Sequence, residues 1–252
     1  MSYPILEFDP AEKAIIEPHM VAKPAGISEY CVISFFSDVN AKVVKEHNAR
    51  VVSVQASEIG EHPVYAFEFE GKTINLLHPG MGGALAAALF EEVIALGCRK
   101  FIVCGGCGVL SASIPCGNVL VPTAAIRDEG VSYHYLPPSR EVSANADALK
   151  AIIDTLNEEK INYIKTKTWT TDAIYRETEN KTAARMDEGC LCVEMEAASF
   201  MAVAQFRNVT LGQLLYAGDI VSKDKWDHRG WNKVPLAREP LFWLAVKACL
   251  KL

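Results

Sequence analysis

The stretch that most constrains the fold of this chain is Val193–Ala204, where two carboxylates flank a methionine and small and apolar residues follow. Glu194 and Glu196 are two residues apart, so they cannot share one face of a helix. The pattern predicts a strand at Leu191–Val193, a turn, and a closely packed helix over about Ala197–Phe206. In open α/β sheets, ligands bind outside the carboxyl ends of the strands, where this turn would lie.

The two carboxylates of this turn allow two interpretations. A carboxylate at a strand-to-helix junction can accept two hydrogen bonds from a vicinal diol such as a ribose. It can equally complement the positive end of the helix dipole, as acidic residues in a first turn do. The local pattern around Glu194 and Glu196 leaves both interpretations open.

The composition favours one α/β domain with a large core over a nucleic-acid-binding or membrane protein. Half of the 252 residues are hydrophobic, yet no apolar run has the length of a membrane span. The formal charge is -6 without a long basic run, which argues against a nucleic-acid partner. The N-terminal residues do not have the pattern of a signal peptide. We therefore expect a single cytoplasmic domain over residues 1–252, with an irregular arm at 1–29.

The eight cysteines are expected to be reduced thiols, because several lie in apolar runs and a chain of this size does not need disulfides. Cys104 and Cys107 have Cys-x-x-Cys spacing. Cys190 and Cys192 are too close together to supply the second pair of a zinc site. No metal is expected.

Two glycine-rich segments follow predicted strands. His78–Gly83 precedes an apolar helix at Ala84–Leu96, and Gly105–Gly108 follows a buried strand at Lys100–Cys104. Glycine lets the backbone approach a ligand, and a helix N-terminus favours an anion. The first segment lacks the spacing of a dinucleotide or P-loop motif, so a plain tight turn is the alternative. Because the two strands are expected to be parallel, both loops should line one crevice.

The rest of the chain alternates strands and helices. The predicted strands are Tyr30–Phe36, Val64–Glu70, Thr73–His78, Val119–Ile126, an edge-like Tyr163–Thr168 and Val209–Ala217; the predicted helices are Asp38–Asn48, Asn145–Lys160, Glu179–Glu188 and Pro240–Leu250. Asp219 follows the last strand and Gly218, which makes it a candidate for catalysis or for a helix N-cap. The charged and aromatic segment Lys223–Trp231 is a candidate mobile flap.

Four segments together resemble the nucleoside phosphorylase superfamily, in the branch with hexameric purine nucleoside phosphorylases, uridine phosphorylases and methylthioadenosine nucleosidases. The segments are Gly80–Gly82, Phe101–Gly108, Gly117–His134, and Val193–Ala198 followed by Gly218-Asp219. The resemblance implies a three-layer α/β/α fold with a twisted central mixed sheet, and dimers assembled into trimers or hexamers. It also implies an enzyme, a pentosyltransferase that cleaves the N-glycosidic bond of a nucleoside. No cofactor is implied beyond inorganic phosphate as co-substrate.

The resemblance also implies roles for individual residues. Glu196 would hold the ribose hydroxyls, Met195 would pack against the sugar, and Glu194 would lie close to the sugar or base. Asp219 matches the acid that protonates the departing purine at N7, and Tyr175 lies where the family places an aromatic side chain against the base. These roles suit an oxocarbenium-like transition state, since a general acid at the base and acceptors at the sugar act where charge changes.

The anion site departs from the family pattern. Phosphorylases of this group usually carry Arg-x-Gly-Ser/Thr-x-Gly in the second glycine loop, where this chain has Val103 and Gly106 at the arginine and hydroxyl positions. The remaining candidates for phosphate are the backbone N–H groups of Gly82, Gly105 and Gly106, together with the side chain of Arg127.

Three hypotheses follow. Phosphorolysis of a purine nucleoside to base and ribose 1-phosphate is favoured by Asp219. Hydrolysis to free ribose on the same scaffold is motivated by Val103 and Gly106. A protein that binds a nucleoside without cleaving it is motivated by the same two positions. A uridine phosphorylase is a further alternative, but its usual uracil-binding Gln-x-Arg is replaced by residues 178–180, Thr-Glu-Asn.

Overall fold

The computed structural model describes residues 3–222, 225–231 and 235–252. The strands are β1 (Tyr30–Ser34), β2 (Arg50–Ser57), β3 (Gly60–Phe69), β4 (Lys72–Leu77), β5 (Lys100–Val109), β6 (Val119–Asp128), β7 (Glu141–Ser143), β8 (Tyr163–Thr171), β9 (Cys190–Glu194), β10 (Thr210–Ser222) and β11 (Lys225–Asp227). The helices are α1 (Pro18–Val21), α2 (Ser37–Glu46), α3 (Gly83–Leu96), α4 (Ser132–Tyr135), α5 (Ala146–Glu158), α6 (Glu179–Asp187), α7 (Ala197–Phe206) and α8 (Pro235–Cys249), with short 3₁₀ turns at Pro4–Leu6 and Ile174–Arg176.

The described strands form one mixed sheet in the order β11-β10-β6-β8-β9-β5-β1-β4-β3-β2, with β7 paired to β6. Strand β10 pairs with β5 as well as with β6. Strands β5, β10, β6, β8 and β9 therefore form a closed circuit, and β1, β4, β3 and β2 extend from it. Strands β4 and β5 both run parallel to β1, as predicted for the strands that precede the two glycine segments.

Helices cover both faces of this sheet. Side chains alternate along a strand, so on β1 the neighbouring residues Val32 and Ile33 enter different clusters. Val32 packs with α2, α5 and α8 on one face, and Ile33 packs with α3 and α7 on the other. The predicted three-layer α/β/α architecture with a central mixed sheet is confirmed.

Most predicted elements are present, including the β3–β4 hairpin and helices α3, α5, α6 and α7. Asn145 accepts a hydrogen bond from the Ala148 N–H, and Thr178 accepts one from the Lys181 N–H, so both helix starts are capped by side chains. Strand β2 was not predicted. Tyr163–Thr168 was predicted as an edge, but β8 lies inside the sheet between β6 and β9.

The second predicted glycine loop is wrong, because β5 continues as a strand from Lys100 to Val109. The glycines at 105 and 106 are explained by close packing instead of a turn. A Cβ on Gly105 would lie 3.1 Å from the Phe35 ring, and one on Gly106 would lie 3.1 Å from the Tyr216 ring. The last predicted strand is also too short, since β10 runs on to Ser222.

Within the described ranges, no helix combines the length and apolar character needed to cross a membrane. The same ranges contain no group of three or more His, Cys, Asp or Glu side chains suited to hold a metal ion.

The packing of α3 on α7 generates a stability prediction. A Cβ on Gly83 would overlap the Ser199 hydroxyl, which donates a hydrogen bond to the Glu129 carboxylate (2.7 Å). We expect Gly83→Ala to lower the free energy of unfolding by about 1–3 kcal/mol, as overpacking does. In a Ser199→Ala background the same change should cost less, since the overlapping oxygen is gone. Urea unfolding of the four proteins measures this coupling, and strictly additive effects would contradict it.

Candidate active site

Strand β9 ends at Glu194, whose side chain folds back on the backbone that follows it. Its Oε2 accepts hydrogen bonds from the N–H groups of Glu196 (2.7 Å) and Ala197 (2.6 Å). Its Oε1 accepts from the hydroxyls of Thr170 (2.6 Å) and Thr168 (3.3 Å). Glu194 thus stabilises the positive start of α7, which is one of the two roles that the local sequence allowed. Because both oxygens bind the protein, any effect of Glu194 on a sugar would be indirect.

Glu196 joins the β9–α7 turn to the glycine segment before α3. Its side chain is buried, and Oε1 accepts a hydrogen bond from the Gly82 N–H over 2.6 Å. Burial, together with the nearby charge of Glu194, raises the pKa of Glu196 to about 8, although backbone hydrogen bonds from Gly82 and Met195 oppose this shift. A carboxyl group has about four acceptor positions, so two such contacts leave room for a diol.

The glycine segment is shaped so that its backbone reaches Glu196. Gly80 and Gly82 have φ values of 77° and 85°, a region that side chains other than glycine seldom adopt. The N–H of Gly82, predicted from the sequence as a donor to phosphate, is donated to Glu196 instead. Met195 is half-buried in the same turn, and its carbonyl oxygen lies 3.6 Å from the position of a Cβ on Gly83.

The sequence predicted that the Arg127 side chain binds phosphate, but in the structure it binds the protein itself. It is 4% exposed, and all three of its guanidinium nitrogens bind the chain between β6 and β7. Nε donates to Ser132 Oγ (2.8 Å), Nη1 to the Pro137 carbonyl (2.7 Å) and Ser139 Oγ (2.6 Å), and Nη2 to the Leu136 carbonyl (3.1 Å). These hydrogen bonds occupy the guanidinium N–H groups that would otherwise bind an anion.

The other predicted phosphate donors are also engaged. Gly105 and Gly106 lie inside β5, where they pair with Leu215 and Tyr216 of β10. Val103 is fully buried in the apolar cluster between the sheet and α3. The second glycine segment is therefore part of the sheet and does not form an open loop around an anion.

Asp219 lies at an irregularity of β10, where the register with β5 shifts between Ala217 and Ile220. Its Oδ1 is 3.5 Å from the position of a Cβ on Gly108, and Val193 of β9 lies 3.1 Å from the same point. A side chain at position 108 would meet Val221 at 2.9 Å as well, so the glycine is required by close packing between β5, β10 and the end of β9. The structure thus brings Asp219 to the end of the sheet where Glu194 and Glu196 lie.

Glu177 was missed in the sequence analysis, although it follows Tyr175 by only two residues. It is half-buried in the connection from β8 to α6. Burial raises the pKa of Glu177 to about 7, and the nearby charge of Asp219 adds to the shift. Tyr175 itself is 95% exposed in the 3₁₀ turn, and its contact with a base stays a prediction. The signal for Glu177 was its place in a loop already marked by an aromatic side chain.

The predicted flap begins outside the described residues, since 223 and 224 are not among them. Its described part, 225–231, contains β11, which pairs antiparallel with β10. Trp231 packs against Gly218, with its Cβ 3.4 Å from the position of a glycine Cβ.

Comparison with known proteins places this geometry in a family. The chain belongs to the phosphorylase superfamily, whose family model matches residues 29–234. A DeoD-type purine nucleoside phosphorylase from Shewanella oneidensis is 28% identical over 74% of this chain and 79% of its own length. Two further curated relatives match over less than two thirds of their own length. The predicted family and its enzymatic character are confirmed.

Solved structures support the same fold. A uridine phosphorylase from Vibrio fischeri superposes with a TM-score of 0.77 at 20% identity, over 94% of this chain and 98% of the other. An AMP nucleosidase from Bacteroides thetaiotaomicron gives a TM-score of 0.71 at 24% identity, over 88% of this chain and 87% of the other.

The raised pKa of Glu196 generates a prediction about stability and pH. The folded protein holds this proton up to about pH 8, whereas an unperturbed glutamate loses it near 4.5, so stability should fall as pH rises between these values. We expect Glu196→Gln to flatten that decline, measured as the urea midpoint from pH 5 to 8. The exposed Glu179→Gln change is the control, and an unaltered slope in Glu196→Gln would contradict the prediction.

Proposed function

We propose that this protein cleaves the N-glycosidic bond of a purine nucleoside and transfers the ribosyl group to phosphate. The observation that carries the proposal is the pair of carboxyl groups at one end of the sheet, Glu196 beside the Gly82 N–H and Asp219 beside Gly108. One suits a ribose diol and the other a leaving base. The purine nucleoside phosphorylase named among the relatives supports the same reaction.

In this reaction the sugar lies against Glu196 and Met195. With a pKa of about 8, Glu196 carries a proton at neutral pH in the free enzyme, so it can donate to one ribose hydroxyl and accept from the other. Both contacts orient the sugar relative to Asp219. Glu194 contributes by fixing the turn on which Glu196 stands.

Asp219 supplies the proton for the leaving group. As the bond from the ribose C1′ to N9 breaks, its electron pair moves into the purine, and Asp219 donates a proton to N7. A phosphate oxygen then bonds to C1′ of the oxocarbenium-like sugar, which gives ribose 1-phosphate and the free base. In this proposal the exposed ring of Tyr175 contacts the base in the bound complex.

Hydrolysis is the second candidate, and a specific observation favours it. The groups expected to bind phosphate are engaged elsewhere: Arg127 holds the β6–β7 connection, the Gly82 N–H binds Glu196, and Gly105 and Gly106 lie inside β5. If no other cation approaches the sugar, water takes the place of phosphate and the product is free ribose.

The experiment that decides between these reactions measures inosine, adenosine and uridine cleavage with and without phosphate and identifies the sugar. Ribose 1-phosphate formed only with phosphate supports phosphorolysis. Free ribose in both conditions supports hydrolysis. Binding of a nucleoside without cleavage would contradict both reactions.

A variant of Asp219 tests the acid directly. We expect Asp219→Asn to lower kcat for inosine by about 10²–10⁴-fold, because the proton donor at the leaving group is lost. Asp187→Asn, an exposed change on α6, is the matched control and should leave the rate unaltered. An Asp219→Asn enzyme with the rate of the unmodified protein would show that another group protonates the base.

A further inference from the structure

An aromatic side chain outside the proposed set of site residues contacts Asp219. Trp226 Nε1 donates a hydrogen bond to Asp219 Oδ2 over 2.8 Å. Trp226 lies on β11 and pairs with Val221 of β10, two residues beyond Asp219. The donor and the acceptor therefore lie on two paired antiparallel strands. This pairing sets the direction from which the indole N–H approaches the Asp219 carboxyl group.

This contact distinguishes the two oxygens of the carboxyl group. An indole has a single N–H donor and no acceptor, so it can hold only one oxygen. Oδ2 is held by Trp226, whereas Oδ1 lies toward Gly108 and Val193, 3.5 Å from the position that a Cβ on Gly108 would occupy. Val193 is followed by Glu194 and Glu196, so the end of β9 that carries them lies on the Oδ1 side of the carboxyl group.

The rest of the Trp226 side chain is available to a ligand. The residue is 65% exposed, and its ring meets the ring of His228 edge-on at a centroid distance of 5.6 Å. Large aromatic side chains with one polar end are typical of sites where one part of the ring is bonded and another part is covered by a partner. A planar purine that accepts a proton from Asp219 would lie next to this exposed surface.

We propose that Trp226 is a positioning residue for the leaving-group acid: its N–H holds Asp219 Oδ2 so that Oδ1 faces the base. The proposal rests on the proposed function, in which Asp219 is that acid. The proton that moves comes from the Asp219 carboxyl group and passes to N7, the electron pair of the broken C1′–N9 bond remains on the base, and the indole keeps its own proton. A neutral donor orients the acid without adding a charge beside it.

Other titratable groups also face this acid. Glu177 from the β8–α6 connection and Cys107 from β5 interact electrostatically with Asp219. His228, after β11, lies against the Trp226 ring. All of these remain when Trp226 becomes phenylalanine, so a change in pH dependence would report the lost N–H.

The kinetic test compares Trp226→Phe with the unmodified enzyme. Phenylalanine keeps an aromatic ring and removes the donor. We expect kcat for nucleoside cleavage to fall by about 10–100-fold with little change in KM, because the lost hydrogen bond stabilises the negative charge that develops on Asp219 as its proton leaves. The pH profile of kcat should move to higher pH, since a hydrogen bond that favours the charged carboxylate is lost. In an Asp219→Asn background, Trp226→Phe should have no further effect.

Trp243→Phe is the matched control, because Trp243 lies on α8 and packs against Phe67 and Phe69 of β3. It should leave kcat and the pH profile unaltered. If Asp219→Asn abolishes cleavage while Trp226→Phe behaves like the unmodified enzyme, the proposal is overturned and the proposed function stands. If Asp219→Asn keeps full activity, the proposed acid fails, and the role of Trp226 fails with it.

A second measurement tests the contact without using activity. In protein labelled with ¹⁵N-tryptophan, Trp226→Phe identifies the indole N–H resonance of Trp226 among those of the four tryptophans. We expect this resonance to shift in Asp219→Asn, while that of Trp243 remains in place. A Trp226 resonance that does not respond to Asp219→Asn would overturn the proposal.

Discussion

The hydrogen bond from the Gly82 N–H to Glu196 joins segments that are 114 residues apart in the chain, and the candidate site depends on it. It requires positive φ values at Gly80 and Gly82, and it requires α3 and α7 to approach so closely that Gly83 has no room for a Cβ beside Ser199. The burial of Glu196 between these segments, with the nearby charge of Glu194, raises its pKa to about 8. A core arrangement of two helices therefore sets both the position and the protonation state of a functional carboxyl group.

Two glutamates separated by one residue have different tasks because their surroundings differ. Glu194 accepts hydrogen bonds from two backbone N–H groups and two threonine hydroxyls. These bonds occupy both of its carboxylate oxygens and fix the start of α7. Glu196 stands on the turn so formed. On β10, Asp219 occupies the irregularity between Ala217 and Ile220, and β11 returns along β10 to place Trp226 against it. Glu194 thus fixes the turn that carries Glu196, and Trp226 holds Asp219 through a hydrogen bond.

The parts of the fold that follow local rules could be predicted from the sequence. The strand, turn and helix around Glu194 and the glycine segment before α3 are encoded by neighbouring residues, and so is the Asn145 cap. The continuation of β5 through Gly105 and Gly106 could not be predicted. These glycines are required by close contact with Phe35 and Tyr216, which are distant in sequence. Arg127 has the charge of an anion ligand, but the carbonyl groups that bind it belong to a loop whose shape no local pattern specifies.

The most direct test of the central claim is the affinity of the site for the ribose diol. Calorimetry in an Asp219→Asn background, where cleavage should be slow, compares inosine with 2′,3′-dideoxyinosine, with and without Glu196→Ala. If Glu196 holds the diol, inosine should bind about tenfold or more tightly than the dideoxy compound, and Glu196→Ala should remove most of that difference. Equal affinities for the two compounds when Glu196 is intact would contradict the account.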